Sequence, residues 1–188
     1  MIIAARAGDN IPRQIVLEMI FMSTLPLKAE YGEQKVIEIF SECVVAYDLK
    51  SGCSYSLFEN NRPMAFGFTF DAFDSNDSAP HLHVFSVYPS QIKKGYGSIL
   101  LAEILKQHKQ TGITLECSSS SSSFFLKSGF KTREQNINGN HIAMFSNGAQ
   151  NRIRFKLPHL DQTAYERYFQ LYETTLDSLL ARNMIRLV

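Results

Sequence analysis

Apolar positions recur with changing period along the chain, and each change marks an element. The opening "MIIAAR", residues 1–6, predicts a short strand. Behind "GDN", where Asp9 or Asn10 is the expected cap, Ile15, Leu17, Ile20 and Phe21 fall at helical spacing. Residues 33–47 repeat that period with Val36, Ile37, Phe40, Val44 and Val45, so a second amphipathic helix follows the first. The period then drops to two. "CSYSLFE" alternates, "NNRP" breaks the run, and in "MAFGFTFDAF" Ala65, Gly67, Thr69 and Asp71 interleave with Phe66, Phe68 and Phe70, which predicts a β-hairpin.

The loop "DAFDSNDSAP" leads into "HLHVFSVY", a buried strand by its β-branched and aromatic content. From Gly97 onward, Ile99, Leu100, Leu101, Ile104 and Leu105 make one helical face that ends near "KQTG", and "ITLEC" returns as a strand. Strand, helix and strand at this length form a βαβ unit, so the two strands run parallel. Serines 118–123 follow, then a helical "FFLKSGF" and strands at 129–135 and 140–146 joined by "NING". "NGAQN" reads as a linker and "RIRFKL" as one more strand. Residues 161–182 are a long helix with Tyr165, Tyr168, Phe169, Tyr172, Leu176, Leu179 and Leu180 on one side. That stripe suits a core, and a homodimer or partner face is its other use.

Composition narrows the class. The 188 residues are 45% hydrophobic and 20% charged, the balance of a folded globular chain. A net charge of +1 gives no global attraction to nucleic acid or to a membrane surface. Cys43, Cys53 and Cys117 lie far apart without a CxxC pair, which points away from disulfides and zinc and toward a reducing compartment. With no secretory pattern at the start and no long apolar span, a cytoplasmic protein without metal is expected.

The candidate chemistry lies in "VYPSQIKKGYGSILL", residues 87–101. A turn that leaves a buried strand and opens a helix offers unpaired N–H groups at the positive end of the helix dipole, and Lys93 and Lys94 add charge. Gly95 and Gly97 remove side chains that would obstruct a phosphate. A Walker A loop lacks its first glycine here, and a dinucleotide fingerprint meets Leu100 where its third glycine belongs.

The same stretch resembles the acetyl-CoA-binding motif of the GNAT acetyltransferases, V-x-P-x-x-[RQ]-x-x-G-x-[GA]-x-x-L-L, in Val87, Pro89, Gly95, Gly97, Leu100 and Leu101. Ile92 stands at the basic-or-Gln position, with Gln91 one step early. A second segment, "LECSSSSSSFFLKSGF", is similar to the family's next motif in Leu115, Phe124, Lys127, Gly129 and Phe130, with Cys117 and Ser121 at its small positions. The match in element order runs over residues 1–147; residues 148–188 form a C-terminal extension outside it. With both flanks packed, the serine run is expected to be a strand end and a helix start rather than a linker.

The resemblance implies an α/β (α+β) fold, a mostly antiparallel mixed sheet whose central parallel pair splays apart, and acetyl transfer from acetyl-CoA to a primary amine of a small molecule or protein. It further implies pantetheine along Phe85, Ser86 and Val87, with Phe125 beside it, and the pyrophosphate on Ile92, Lys93, Lys94, Gly95, Tyr96, Gly97 and Ser98. His81 occupies the position of the strand-borne Glu base of the histone-acetyltransferase branch, and neutral imidazole suits that work. A packed or solvent-facing His81–His83 pair is the plainer account of both. The acidic loop with Asp71, Asp74 and Asp77 would attract a cationic amine. Phe125 replaces the family's proton-donating tyrosine, so either another group such as Ser121, Ser122 or Tyr96 is the acid or the thiolate leaves unassisted. Two readings from other classes stay open: a catalytically weak CoA-binding sensor or docking module, and a phosphate-binding module unrelated to CoA.

Overall fold

A computed structural model describes residues 1–71, 79–137, 141–146, 149 and 161–185. The "RIRFKL" strand, Asp74 and Asp77, the second half of the "NING" turn and most of the "NGAQN" linker lie outside the described residues. In chain order the elements are β1 (Ile2–Arg6), α1 (Arg13–Thr24), α2 (Lys28–Tyr31), α3 (Glu33–Asp48), β2 (Gly52–Glu59), β3 (Arg62–Phe70) and β4 (His81–Val87). Then come α4 (Tyr96–Gln107), β5 (Thr114–Ser118), α5 (Ser119–Lys127), β6 (Lys131–Ile137), β7 (His141–Phe145) and α6 (Gln162–Ala181). The strands form one mixed sheet in the order β1-β2-β3-β4-β5-β7-β6, antiparallel except for β4 and β5.

Both faces of the sheet are covered, as the alternation in the hairpin requires. Phe66, Phe68 and Phe70 point into a core shared with Leu17, Ile20 and Phe21 of α1 and Val36, Phe40 and Val44 of α3. Tyr55, Ala65 and Leu82 face the other way, onto Leu100, Leu101 and Ile104 of α4. The stripe of α6 joins the first core, where Tyr172 lies 4.7 Å from the Phe21 ring and 5.4 Å from that of Phe40. Its apolar face therefore packs within the chain.

Three local expectations are corrected. The cap of α1 is Pro12, with no side-chain bond; Asp9 instead accepts the Arg6 amide at 2.7 Å and closes the turn before it. Ile15 and Ile99, assigned to buried faces, are exposed, because both helices centre their contact one residue on, at Val16 and Leu100. A helical turn at Leu25–Leu27 and the short α2, bracketed by Pro26 and Gly32, were not predicted.

The register of β4 holds the feature that matters for function. Phe68 pairs with Val84 and Thr69 with Leu82, so His83 is an extra residue bulged out of β4. Leu82 and Val84 consequently enter opposite cores, where an unbroken strand would send them to the same face. Pairing with β5 consists of His81 to Thr114 and Leu82 to Leu115. Past that point β5 continues along β7 as far as Ser118 opposite His141, and β4 along β3, so the two parallel strands part.

Candidate active site

The parted strands open a cavity of about 520 Å³. Residues 81–85 of β4 and 115–118 of β5 form its floor, α2 and α3 supply Tyr31, Lys35 and Glu42, and Ser121, Phe125 and His141 close the far side. Phe85 stacks on Phe124 with ring centroids 5.7 Å apart and meets Phe125 at 6.0 Å, so one wall of the opening is aromatic. Phe125 is buried there and has no proton to give.

The glycine turn stands at the open end of β4. Gly95 is left-handed at φ +87° and caps α4, a conformation that side-chain-bearing residues resist. The first bond of the helix runs from the Ile99 amide to the Gly95 carbonyl, so the amides of Tyr96, Gly97 and Ser98 have no intrahelical acceptor. At Gly97 a Cβ would lie 3.1 Å from Val87 Cγ2, so its absence also lets α4 close onto β4. Ile92, Lys93, Lys94 and Ser98 are exposed around these amides. Gln91, one position early, bonds Ser90 and Lys94. Ser86 is buried, opposite Phe66 of β3.

Among the expected acids, Ser121 lines the cavity with Oγ 3.2 Å from that of Ser118. The Tyr96 hydroxyl donates to Glu59 at 2.6 Å, and its ring borders a separate cavity of about 430 Å³. Ser122 donates to the Ser119 carbonyl. The serine run is the end of β5 and the start of α5, as its flanks required.

His81 is 4% exposed, with Nδ1 3.2 Å from Thr114 Oγ1. Burial, and then the neighbouring His83, push its protonation well below the usual 6.5. An imidazole held neutral in the fold but ordinary in the unfolded chain takes up protons on unfolding once pH falls below that value. Its stabilising contribution is thus complete above pH 6.5 and is lost as pH falls toward the folded value. The urea midpoint is expected to drop on acidification through this window, and His81→Asn to show a shallower drop. His108, also shifted down by burial, acts in the same direction.

Sequence reasoning missed the wall opposite β4. Glu42 Oε2 accepts a hydrogen bond from His83 Nε2 at 2.9 Å, and the Tyr31 hydroxyl lies 3.3 Å from His141 Nε2. Burial, helped by Glu30, raises the Tyr31 phenol to about 12 and keeps it protonated. The sole sequence signal was a polar row, Lys35, Glu38 and Glu42, on the amphipathic α3.

Residues 28–146 match the family model described as an acetyltransferase (GNAT) domain. The chain belongs to the GNAT acetyltransferase family. No curated protein matches it in sequence. Among solved structures, GCN5 of Tetrahymena superposes with a TM-score of 0.60 at 12% identity, covering 78% of this chain and 94% of that one. PaiA N-acetyltransferase from Thermoplasma acidophilum, in complex with coenzyme A, gives 0.54 at 18% identity over 78% and 98%. An aminoglycoside 6'-N-acetyltransferase complexed with coenzyme A gives 0.56 at 16% over 77% and 96%. These likenesses establish the GNAT fold, and the family makes the chain an acyltransferase. Among the described residues no helix is long and apolar enough to cross a membrane, and no three His, Cys, Asp or Glu side chains are grouped to hold a metal.

Proposed function

We propose that the protein transfers an acetyl group from acetyl-CoA to a primary amine. The observation that carries this reading is the parting of β4 from β5 at the His83 bulge, directly beside the amide-rich start of α4. Pantetheine would lie on the open edge of β4 at Phe85, Ser86 and Val87, where a main-chain N–H can bond the thioester carbonyl more strongly as oxyanion charge develops. The pyrophosphate would rest on the turn from Ile92 to Ser98, with Lys93 and Lys94 beside it. The acceptor would enter on the α2 and α3 side, where Glu30, Glu42 and Glu116 outnumber Lys35 and favour an ammonium. Ser121 is the hydroxyl placed to carry a proton toward the leaving thiolate.

Calorimetric titration with acetyl-CoA is expected to show saturable binding, and thiol release should follow on addition of an amine. Absence of binding at millimolar ligand overturns the reading. Phe125, in place of a tyrosine, favours a second one: a module that binds CoA and transfers slowly or not at all. Tight binding without thiol release across an amine panel would select it.

A further inference from the structure

We propose that Glu59, by holding the Tyr96 hydroxyl, braces the start of α4 so that its amides stand ready for the diphosphate of the donor. This rests on the acetyltransferase reading, and extends it from the glycine turn to what holds the turn in place. Glu59 touches no ligand atom and is a positioning residue.

The turn between β4 and α4 has little of its own to hold it. Lys93 is left-handed at φ +66° and Gly95 at φ +87°, and at Lys93 a residue with a side chain bears that cost. The Gln91 amide bonds the Tyr88 carbonyl at 2.7 Å, but the next two amide bonds are long, 3.4 Å from Ile92 to Pro89 and 3.3 Å from Lys94 to Gln91. The side-chain bonds of Gln91 to Ser90 and of Lys94 to Gln91 are exposed and stay within the turn.

Its two ends are both tied to the hairpin of β2 and β3. At the entry, the Tyr88 amide donates to the Met64 carbonyl of β3 at 2.9 Å. At the exit, the Tyr96 hydroxyl donates to Glu59 Oε2 at 2.6 Å and joins residues 37 apart in sequence. A bond this short to a carboxylate is charge-assisted, and the same carboxylate holds the phenol above its usual range, so Tyr96 remains the donor. Glu59 stands on firm ground: it pairs with Arg62 across Asn60 and Asn61, both left-handed, in a tight two-residue turn. Packing does not replace the bond, because the Tyr96 ring borders the cavity of about 430 Å³ that Leu57, Phe58 and Ile99 also line. Tyr96 is the first residue of α4 and carries the first of its three unpaired amides, so the brace ends where the diphosphate would sit. The charge of Glu59 opposes a diphosphate, but the carboxylate is exposed and a tyrosine's length from those amides, where solvent and salt screen it.

The test compares acetyl-CoA with S-acetylpantetheine, a donor without the diphosphate, by calorimetry and by thiol release with the fastest of spermidine, tyramine and a lysine-containing peptide. Tyr96→Phe, which keeps the ring and the charge of Glu59, is expected to raise the acetyl-CoA Kd by about 5- to 10-fold. Glu59→Ala should do the same, and the double variant should be no worse than either single one. Glu59→Gln keeps an acceptor for the hydroxyl and should bind within about threefold of wild type. In Glu59→Ala the loss should appear in KM rather than kcat, and the preference for acetyl-CoA over S-acetylpantetheine in kcat/KM should fall by the same factor. An equal loss with both donors signals general structural damage and overturns the brace. Wild-type affinity in Tyr96→Phe, or tighter binding in Glu59→Ala, overturns it as well, and none of these outcomes touches the acetyltransferase reading. Failure of the wild type to bind acetyl-CoA overturns that reading and the brace with it. Binding without turnover of any amine overturns the reading alone, and the binding constants then decide the brace.

Discussion

Replacing Phe40 by alanine is expected to cost the fold about 3–5 kcal/mol. Phe40 is 0% exposed and sits where three helices meet: edge-on to Phe21 of α1 at 6.2 Å and to Tyr172 of α6 at 5.4 Å. Removing its ring takes away transfer energy and leaves a void bounded by two other rings, which cannot collapse without shifting helices. Phe40→Leu keeps most of the volume and is expected to cost clearly less. Urea denaturation checks both, with the midpoint falling at unchanged slope. A loss below about 1 kcal/mol in Phe40→Ala would mean that α6 does not close this core. The site would feel the change indirectly, because α3 also carries Glu42.

That coupling explains which parts of the molecule were legible in the sequence. The glycine turn needs only contiguous residues: a strand end, Gly95 to turn left-handed, and an apolar helix to follow. Each leaves a local signature in residues 87–101. The serine run was legible for the same reason, since packed segments bracket it. The cavity wall formed by α2 and α3 was not, because it depends on distance in sequence: Glu42 and His83 are 41 residues apart, and Tyr31 and His141 are 110 apart. Nothing in "SECVV" distinguishes a glutamate facing a cavity from one facing water.

The bulge was hidden in a different way. "HLHVFSVY" reads as a buried strand from its composition, and the extra residue appears only when its partner, β3, is laid beside it. Family position drew attention to His81, whereas the register shift presents His83 to the opened gap. Gly97 shows the converse. Its type was legible, but its packing role was not, because Val87 and Phe124 approach it only after the helix has packed.

Gly97→Val is accordingly expected to abolish high-affinity acetyl-CoA binding, by about 100-fold or more, and to lower stability by about 1–3 kcal/mol. The Cβ alone would stand 3.1 Å from Val87 Cγ2, 3.5 Å from Phe124 Cζ and 3.6 Å from Phe85 Cε1. The two further methyl groups of valine have no room between α4 and β4, so the first turn of the helix must lift away. That movement carries the amides of Tyr96, Gly97 and Ser98 off the open edge of β4, separating the pyrophosphate seat from the pantetheine seat. Gly95→Ala makes the useful contrast: nothing lies within 4 Å of its added Cβ, and the penalty is confined to a left-handed backbone, about 1–2 kcal/mol. Calorimetry on both variants, with urea midpoints alongside, separates displacement of the helix from strain in the turn. Wild-type affinity in Gly97→Val would mean that the diphosphate binds somewhere other than the start of α4.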